Sequence, residues 1–302
     1  MKLLKDIGEA GLIDRIRRKT KTSSRVIKGI GDDAAIIKFS RDKYLVLTCD
    51  MLVEGVHFDC SRATPYQIGW KAIGVSISDI ASMGALPGQA LISLGLAPGL
   101  SVKFVDQIYS GLKKLAGLFA VDLVGGDIVK SEKLVINVSM TGLVNKKDVL
   151  LRSTARPGDA ILVTGRLGGV IFDKHLKFMP RLNEARFLNN NFKINSMIDI
   201  SDGLIGDLGH ITKESRLGAV IYQRDIPVCS NRDFKRAIEH GEDFELLFTM
   251  PKAEARKALS SFGKAFSTPI SMIGEIVKNK GICLADKHGR IKSIGPKGWQ
   301  HF

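Results

Sequence analysis

Apolar positions along the chain recur at two spacings. Leu4, Ile7, Leu12 and Ile16 follow helical spacing and end in a basic run, so Leu3 to about Arg18 is predicted helical, with cations where the helix dipole favours them. Ile36-Ile37 and Tyr44–Leu47 predict two strands, the second running into Thr48-Cys49-Asp50. Thr64 to Met83 reads as a helix with Pro65 in its first turn, carrying Ser78-Asp79-Ile80-Ala81 towards its C-terminal half. Leu91–Leu96 predicts a strand closed by Ala97-Pro98-Gly99, Ser101–Phe119 a helix, Val121–Val124 a strand ending in Gly125-Gly126-Asp127, and Leu134–Val144 a further strand.

The pattern changes near residues 150–159, where Arg152-Ser-Thr-Ala-Arg-Pro157-Gly158-Asp159 is polar and holds a Pro-Gly turn. That is the natural boundary between two domains, 1–149 and 150–302, which a chain of 302 residues accommodates. The second half predicts strands at Ala160–Thr164, Gly218–Tyr222, Leu246–Phe248, Ile270–Val277 and within Gly281–Ile294. Helices are predicted at Leu204–Glu214, capped by Ser201 or Asp202, and at Asn231–His240. Strands and helices mix without a strict βαβ rhythm, which favours an α+β fold over a doubly wound sheet.

Composition narrows the function classes. No apolar run approaches the ~18–20 residues of a membrane span, and Met1-Lys-Leu-Leu-Lys-Asp6 lacks the features of a signal peptide, so a cytoplasmic protein is expected. Cys49, Cys60, Cys229 and Cys283 are far apart without C-x-x-C pairing, pointing to neither zinc nor a disulfide framework. The formal net charge of +14 favours anionic partners, but the basic residues are spread out and no RNA motif or zinc-finger spacing occurs, so phosphate steering accounts for it as well as nucleic acid does.

The candidate chemistry lies in the acids. Gly29-Ile-Gly-Asp-Asp33 taken alone is an ordinary turn, but Asp33, Asp50, Asp79, Asp127, Asp199 and Asp202 are read as falling at glycine turns, strand ends or helix starts, where α/β-type folds gather functional groups. Carboxylates cannot hold phosphates directly, since both are anions. They do so through Mg²⁺, which takes one or two carboxylates and completes its octahedron with phosphate oxygens and water. The set therefore predicts several Mg²⁺ ions bridging a highly charged phosphate substrate. A P-loop and the protein-kinase motifs are absent.

Seven stretches, in order, resemble the thiamine-monophosphate kinases, of the superfamily that includes aminoimidazole ribonucleotide synthetase. They are Gly29–Asp33, Thr48-Cys-Asp-Met-Leu-Val-Glu-Gly-Val-His57-Phe58, Ser78–Ala85, Gly125-Gly-Asp127, Arg152-Ser153 with Pro157-Gly-Asp159, Ile198–Leu204 and Gly241–Leu246. Lys297–Phe302 resembles the family's ending. The resemblance implies a two-domain subunit that dimerises through its N-terminal domains into a barrel built from strands of both copies. It implies ATP-dependent phosphorylation of thiamine monophosphate to the diphosphate by direct in-line transfer, without a dedicated catalytic base. Asp33, Thr48, Asp50, Asp79, Asp127, Asp199 and Asp202 would ligate Mg²⁺; Gly126, Asp127, Arg152 and Ser201 would hold ATP; His57, Glu242 and Trp299 would meet the thiamine phosphate.

Each of these has a plainer alternative: His57 as a structural histidine, Trp299 docking the tail, Asp202 capping a helix, Arg152 as a solvated charge. Gly165–Gly169 is assigned turn chemistry only. The chain departs from the family at Cys49 and Ile128, where Thr is usual, and in a shortened stretch between Gly169 and Pro180. Two other functions compete: a superfamily enzyme activating an amide or a selenide with ATP, and a non-catalytic basic nucleic-acid-binding relative.

Overall fold

Pairing of the N-terminal strands builds a six-stranded sheet in the order β1-β2-β3-β6-β4-β5. The strands are β1 (Val26–Lys28), β2 (Ala35–Lys38), β3 (Lys43–Val53), β4 (Leu86–Leu96), β5 (Asp122–Lys130) and β6 (Val135–Asn145). The computed structural model describes residues 3–169, 174–229, 234–295, 298–299 and 301–302. The shortened stretch after Gly169, the start of the predicted Asn231 helix, and Lys297 and Gln300 of the C-terminal motif lie wholly or partly outside the described residues. Only β4 and β5 run parallel in this sheet.

One face of the sheet is covered by α2 (Pro65–Ser82) and α3 (Val102–Leu118), while α1 (Gly8–Lys19) buries no residue completely. Thr64 caps α2: its hydroxyl accepts from the Gln67 N–H at 3.3 Å while the Gln67 side chain accepts from the Thr64 N–H at 2.9 Å. Ile68, Ile73, Ile77 and Ile80 of α2 are fully buried against Ile92, Ile136 and Val138, each such side chain contributing about 1.5–3 kcal/mol by leaving water. The α2–α3 crossing is close because two glycines meet backbone: a Cβ on Gly69 would come within 2.0 Å of the Ile108 carbonyl oxygen, and one on Gly111 within 2.0 Å of that of Tyr66.

The second sheet has seven strands in the order β13-β12-β9-β11-β7-β10-β8. They are β7 (Asp159–Thr164), β8 (Ser196–Asp199), β9 (Gly218–Tyr222), β10 (Leu246–Pro251), β11 (Ile270–Val277), β12 (Gly281–Ala285) and β13 (Ile291–Ile294). β7 alternates strictly: Ile161 and Val163 enter the core under α5 (Leu204–Ser215), and Ala160 and Leu162 the core under α4 (Leu182–Asn191) and α7 (Lys252–Ala265). A short α6 (Phe234–Glu239) completes the helices among the described residues. The two sheets meet through α2, whose Ala81 belongs to the α4–α7 core and whose Trp70 indole donates to the Phe178 carbonyl at 2.7 Å. The result is the α+β architecture expected.

Several local expectations change. β3 extends through Val53, so Asp50 lies inside a strand, and β5 runs to Lys130, so Gly125-Gly126-Asp127 lies mid-strand on a sheet edge, where glycine costs least. Gly126 is required there, since a Cβ would stand 1.7 Å from the Ile92 carbonyl oxygen. Neither Ser201 nor Asp202 caps α5: the cap position is Gly203, and the Asp207 carboxylate reaches back to accept from the Asp202 and Gly203 N–H groups at 3.1 Å. The polar, lysine-rich α7 was not expected. Among the described residues no helix is long and apolar enough to cross a membrane.

Candidate active site

The site grows from one helix. Lys71, Ser78 and Ser82 fall at i, i+7 and i+11 on α2, and with Ser76 and Asp79 they form a polar stripe in an otherwise apolar, buried helix. Each serine hydroxyl holds an acid from another segment. Ser76 donates to Asp50 on β3 at 2.6 Å, Ser78 to Asp199 at the end of β8 at 2.6 Å, and Ser82 to Asp33 in the turn before β2. Thr48 on β3 donates to Asp79 itself. Thr48 and Asp50 face α2, whereas the exposed Cys49 side chain is met by Asn137 at 3.1 Å and Ser139 at 3.4 Å.

One carboxylate oxygen each from Asp33, Asp79 and Asp199 lies within 4.8 Å of the other two. Removal from water, and then repulsion from Asp50, Asp199 and Asp33, pushes Asp79 well above the ordinary carboxylate range. Asp199 rises to about 8 through desolvation and the charge of Asp33. Asp50 rises to about 6, chiefly by desolvation, with the Ser76 hydroxyl opposing it. Neighbouring Asp32 also rises to about 6 by desolvation and the charge of Asp33, and its Oδ2 has no hydrogen-bond donor among the described residues, with the Lys28 ammonium at 3.3 Å. Arg152 Nε donates to Asp33 at 3.0 Å and its backbone N–H to Asp32 at 3.1 Å, so in this structure its fork faces carboxylates. Converging, desolvated carboxylate oxygens fit a hard divalent cation better than they fit one another.

Beside this cluster is a cavity of about 370 Å³ whose walls include His57, Lys71, Glu242, Phe244, Trp299 and His301. His57 Nδ1 accepts from the Val53 N–H at 3.0 Å, and burial, followed by the Lys71 charge, lowers its pKa. Lys71, 1% exposed, donates to the His57 carbonyl at 2.5 Å and to the Glu242 carboxylate. Glu242 and Phe244 adopt left-handed backbone, φ 65° and 50°, a conformation that costs a non-glycine residue about 1–2 kcal/mol. The loop holding them is tied down: the Glu242 N–H donates to the Ser201 carbonyl at 2.7 Å, Phe244 stacks on Phe178 at 4.2 Å, and the Asp243 carboxylate accepts from Gly168 at 2.9 Å and Gly169 at 3.1 Å. The Trp299 backbone N–H donates to the Asp202 carbonyl at 2.9 Å while the residue stays 51% exposed.

The structure thus brings Asp33, Asp79 and Asp199 together with Thr48, Asp50 and Arg152 around them, and gathers His57, Ser201, Asp202, Glu242 and Trp299 at the adjoining cavity. Asp202 groups with Asp207 and His210, one ligand atom of each within 4.8 Å of the others, rather than with the Asp33 cluster. Gly126 and Asp127 stand apart on the exposed edge strand, where Asp127 pairs in register with Ser93 and its carboxylate accepts from the following N–H at 2.9 Å. Sequence reasoning missed Asp32, Lys71, the three α2 serines, Asp207 and His210. For Lys71 and the serines a signal exists: polar residues on the buried stripe of an apolar helix need partners. A wider cavity of about 610 Å³ between α1, α5 and β13 shares Asp202 and Trp299 but neither His57 nor Glu242.

Residues 31–144 match the AIR synthase related protein N-terminal domain, and 156–287 its C-terminal domain. The chain is 33% identical to a thiamine-monophosphate kinase of Aquifex aeolicus, covering 99% of each, and 35% identical to one of Buchnera aphidicola from Schizaphis graminum, covering 93% of this chain and 94% of the other. It superposes with a TM-score of 0.86 and 33% identity on the solved structure of AaThiL complexed with AMPPCP and TMP, covering 100% of this chain and 99% of that one.

Proposed function

Because this chain belongs to the AIR synthase related proteins and, among them, to the thiamine-monophosphate kinase family, we propose that it phosphorylates thiamine monophosphate with ATP to give thiamine diphosphate and ADP. The observation that carries this reading is the convergence of Asp33, Asp79 and Asp199 from three separate segments beside a cavity lined by an acid and by aromatic rings. Two phosphates repel. An oxygen of the monophosphate must nonetheless approach the γ-phosphorus of ATP, form the new P–O bond and displace ADP in line.

The donor set fits Mg²⁺: oxygen atoms only, desolvated, with carboxylate oxygens of Asp33, Asp79 and Asp199 within 4.8 Å of one another. Asp33, Thr48, Asp50, Asp79 and Asp199 would hold it, with Asp202 at the cavity rim, and when bound it supplies positive charge that offsets the phosphate oxygens. The serines of α2 fix the orientation of Asp33, Asp50 and Asp199 by hydrogen bonds. Arg152, whose guanidinium lies on Asp33, and Ser201 would hold ATP phosphates. Gly126 and Asp127 are proposed to act on ATP from the open sheet edge, at the seam where a second copy joins.

His57, Glu242 and Trp299 receive the thiamine moiety: the Glu242 carboxylate suits its cationic ring, and Trp299 offers a face for stacking. A homodimer is supported by the open face and edge of the first sheet, where Met51, Leu91, Val124 and Ile128 are 58%, 48%, 58% and 63% exposed. We further propose that the two domains divide at 149/150 and that the enzyme works in the cytoplasm. The test is ADP release with Mg²⁺, ATP and thiamine monophosphate, with the diphosphate identified by chromatography. No ADP above the ATP-only background overturns the reading.

A further inference from the structure

Lys71 is a charged side chain with only 1% of its surface exposed, yet it forms part of the wall of the substrate cavity. A buried ammonium is tolerated only where anionic or carbonyl oxygens replace water. Its partners are the His57 carbonyl at 2.5 Å and the Glu242 carboxylate, and the other Glu242 oxygen lies 4.0 Å from His175 Nε2. Lys71 comes from the helix under the first sheet and Glu242 from a loop of the second, so the pair joins the two halves across the cavity. Glu242 is also held by strained backbone, with φ 65° and its N–H bonded to Ser201. A carboxylate in that place without a cation beside it would turn towards water.

We propose that Lys71 is a positioning residue for the acceptor substrate: through Glu242 and the His57 carbonyl it holds the groups that grip the thiamine moiety, without taking part in phosphoryl transfer. The inference rests on the kinase reading above. It separates two ends of the site that lie along one helix. The Lys71 end governs how well the acceptor binds, and the Asp79 end governs how fast it reacts.

The test is steady-state kinetics of the full chain with Mg²⁺, ATP and thiamine monophosphate for Lys71→Met, Lys71→Arg, Glu242→Gln and the Lys71→Met/Glu242→Gln double variant. Loss of the pair is expected to raise KM for thiamine monophosphate about ten- to hundredfold, the weight of one charged hydrogen bond. KM for ATP and kcat should stay within about threefold, an interaction made equally in ground and transition states. Lys71→Arg recovers part of the loss, and the double variant falls well short of the two single losses combined, because coupled partners are not additive. An unchanged KM for thiamine monophosphate, a matching rise in KM for ATP, or strict additivity overturns the proposal. Should Lys71→Met fail to fold, Glu242→Gln and Lys71→Arg decide by calorimetric titration with thiamine monophosphate alone, unchanged affinity in both counting against it. If the wild-type chain releases no ADP with thiamine monophosphate, the kinase reading fails; if it turns over and Lys71→Met behaves like wild type, only the present inference fails.

Discussion

Asp79 feels the charge of three other carboxylates, those of Asp50, Asp199 and Asp33, and receives one hydroxyl hydrogen bond in return. Replacing it by Asn removes that repulsion and with it the reason for binding a cation. Asp79→Asn is expected to abolish ADP release while raising the metal-free unfolding midpoint, measured by calorimetry in chelator; a destabilised variant contradicts the role. Glu245 presents the opposite case. Burial works to raise its pKa, but the Arg181 fork at 2.7 Å and the Lys174 ammonium at 2.7 Å hold it below the ordinary 4.5. A depressed carboxylate stabilises the fold above its unfolded pKa, and that contribution is lost as pH falls through the folded value. Denaturant unfolding should therefore show wild-type stability declining below about pH 4.5, with Glu245→Gln weaker by about 3–5 kcal/mol at neutral pH and flatter on the acid side. Among single residues, the acids at glycine turns were legible because Gly and Asp punctuate sequences. Asp127 was equally legible and yet lies apart, because spacing says nothing about which side of a sheet edge a carboxylate occupies.

At the scale of elements, α2 was legible almost to the residue, since Thr64, Pro65 and Gln67 mark its start and its isoleucines set its period. Its partnership with α3 was not, because nothing in the spacing of Gly69 and Gly111 tells that each faces the other helix's backbone. Gly111→Val would drive a branched side chain into the Tyr66 carbonyl and force the two helices apart. Loss of several kcal/mol of stability is expected, at or above the roughly 1–3 kcal/mol of ordinary overpacking, read by urea denaturation; a change within experimental error refutes the crossing described. β3 and β5 ran longer than expected because sheet pairing overrides the poor strand propensity of Asp and Gly. The polar α7 escaped notice because its buried face amounts to Ala255, Ala258 and Phe262.

For the whole molecule, the mixed helices and strands of an α+β fold were legible in the changing hydrophobic periods along the chain. The strand orders do not, since pairing of distant segments leaves no local trace. Assembly carries its own predictions. Adding Mg²⁺ should raise the thermal midpoint of the wild-type chain, by about 2.7 kcal/mol of stability at a hundred times the dissociation constant, and leave Asp79→Asn unmoved. Leu91→Asp on the open face should convert a dimer to monomer by light scattering. A wild-type chain that is already monomeric would remove the proposed seam.

One helix carries both Lys71 and Asp79, eight residues apart, and at 1.5 Å per residue that fixes about 12 Å between the two ends of the site. An α-helix neither stretches nor compresses appreciably, so α2 acts as a gauge. An acceptor whose phosphate is tethered too short or too long for that interval cannot reach both stations at once. Discrimination by molecular length would then rest on the rise of one buried helix, with the Glu242 loop pinned to it through Lys71.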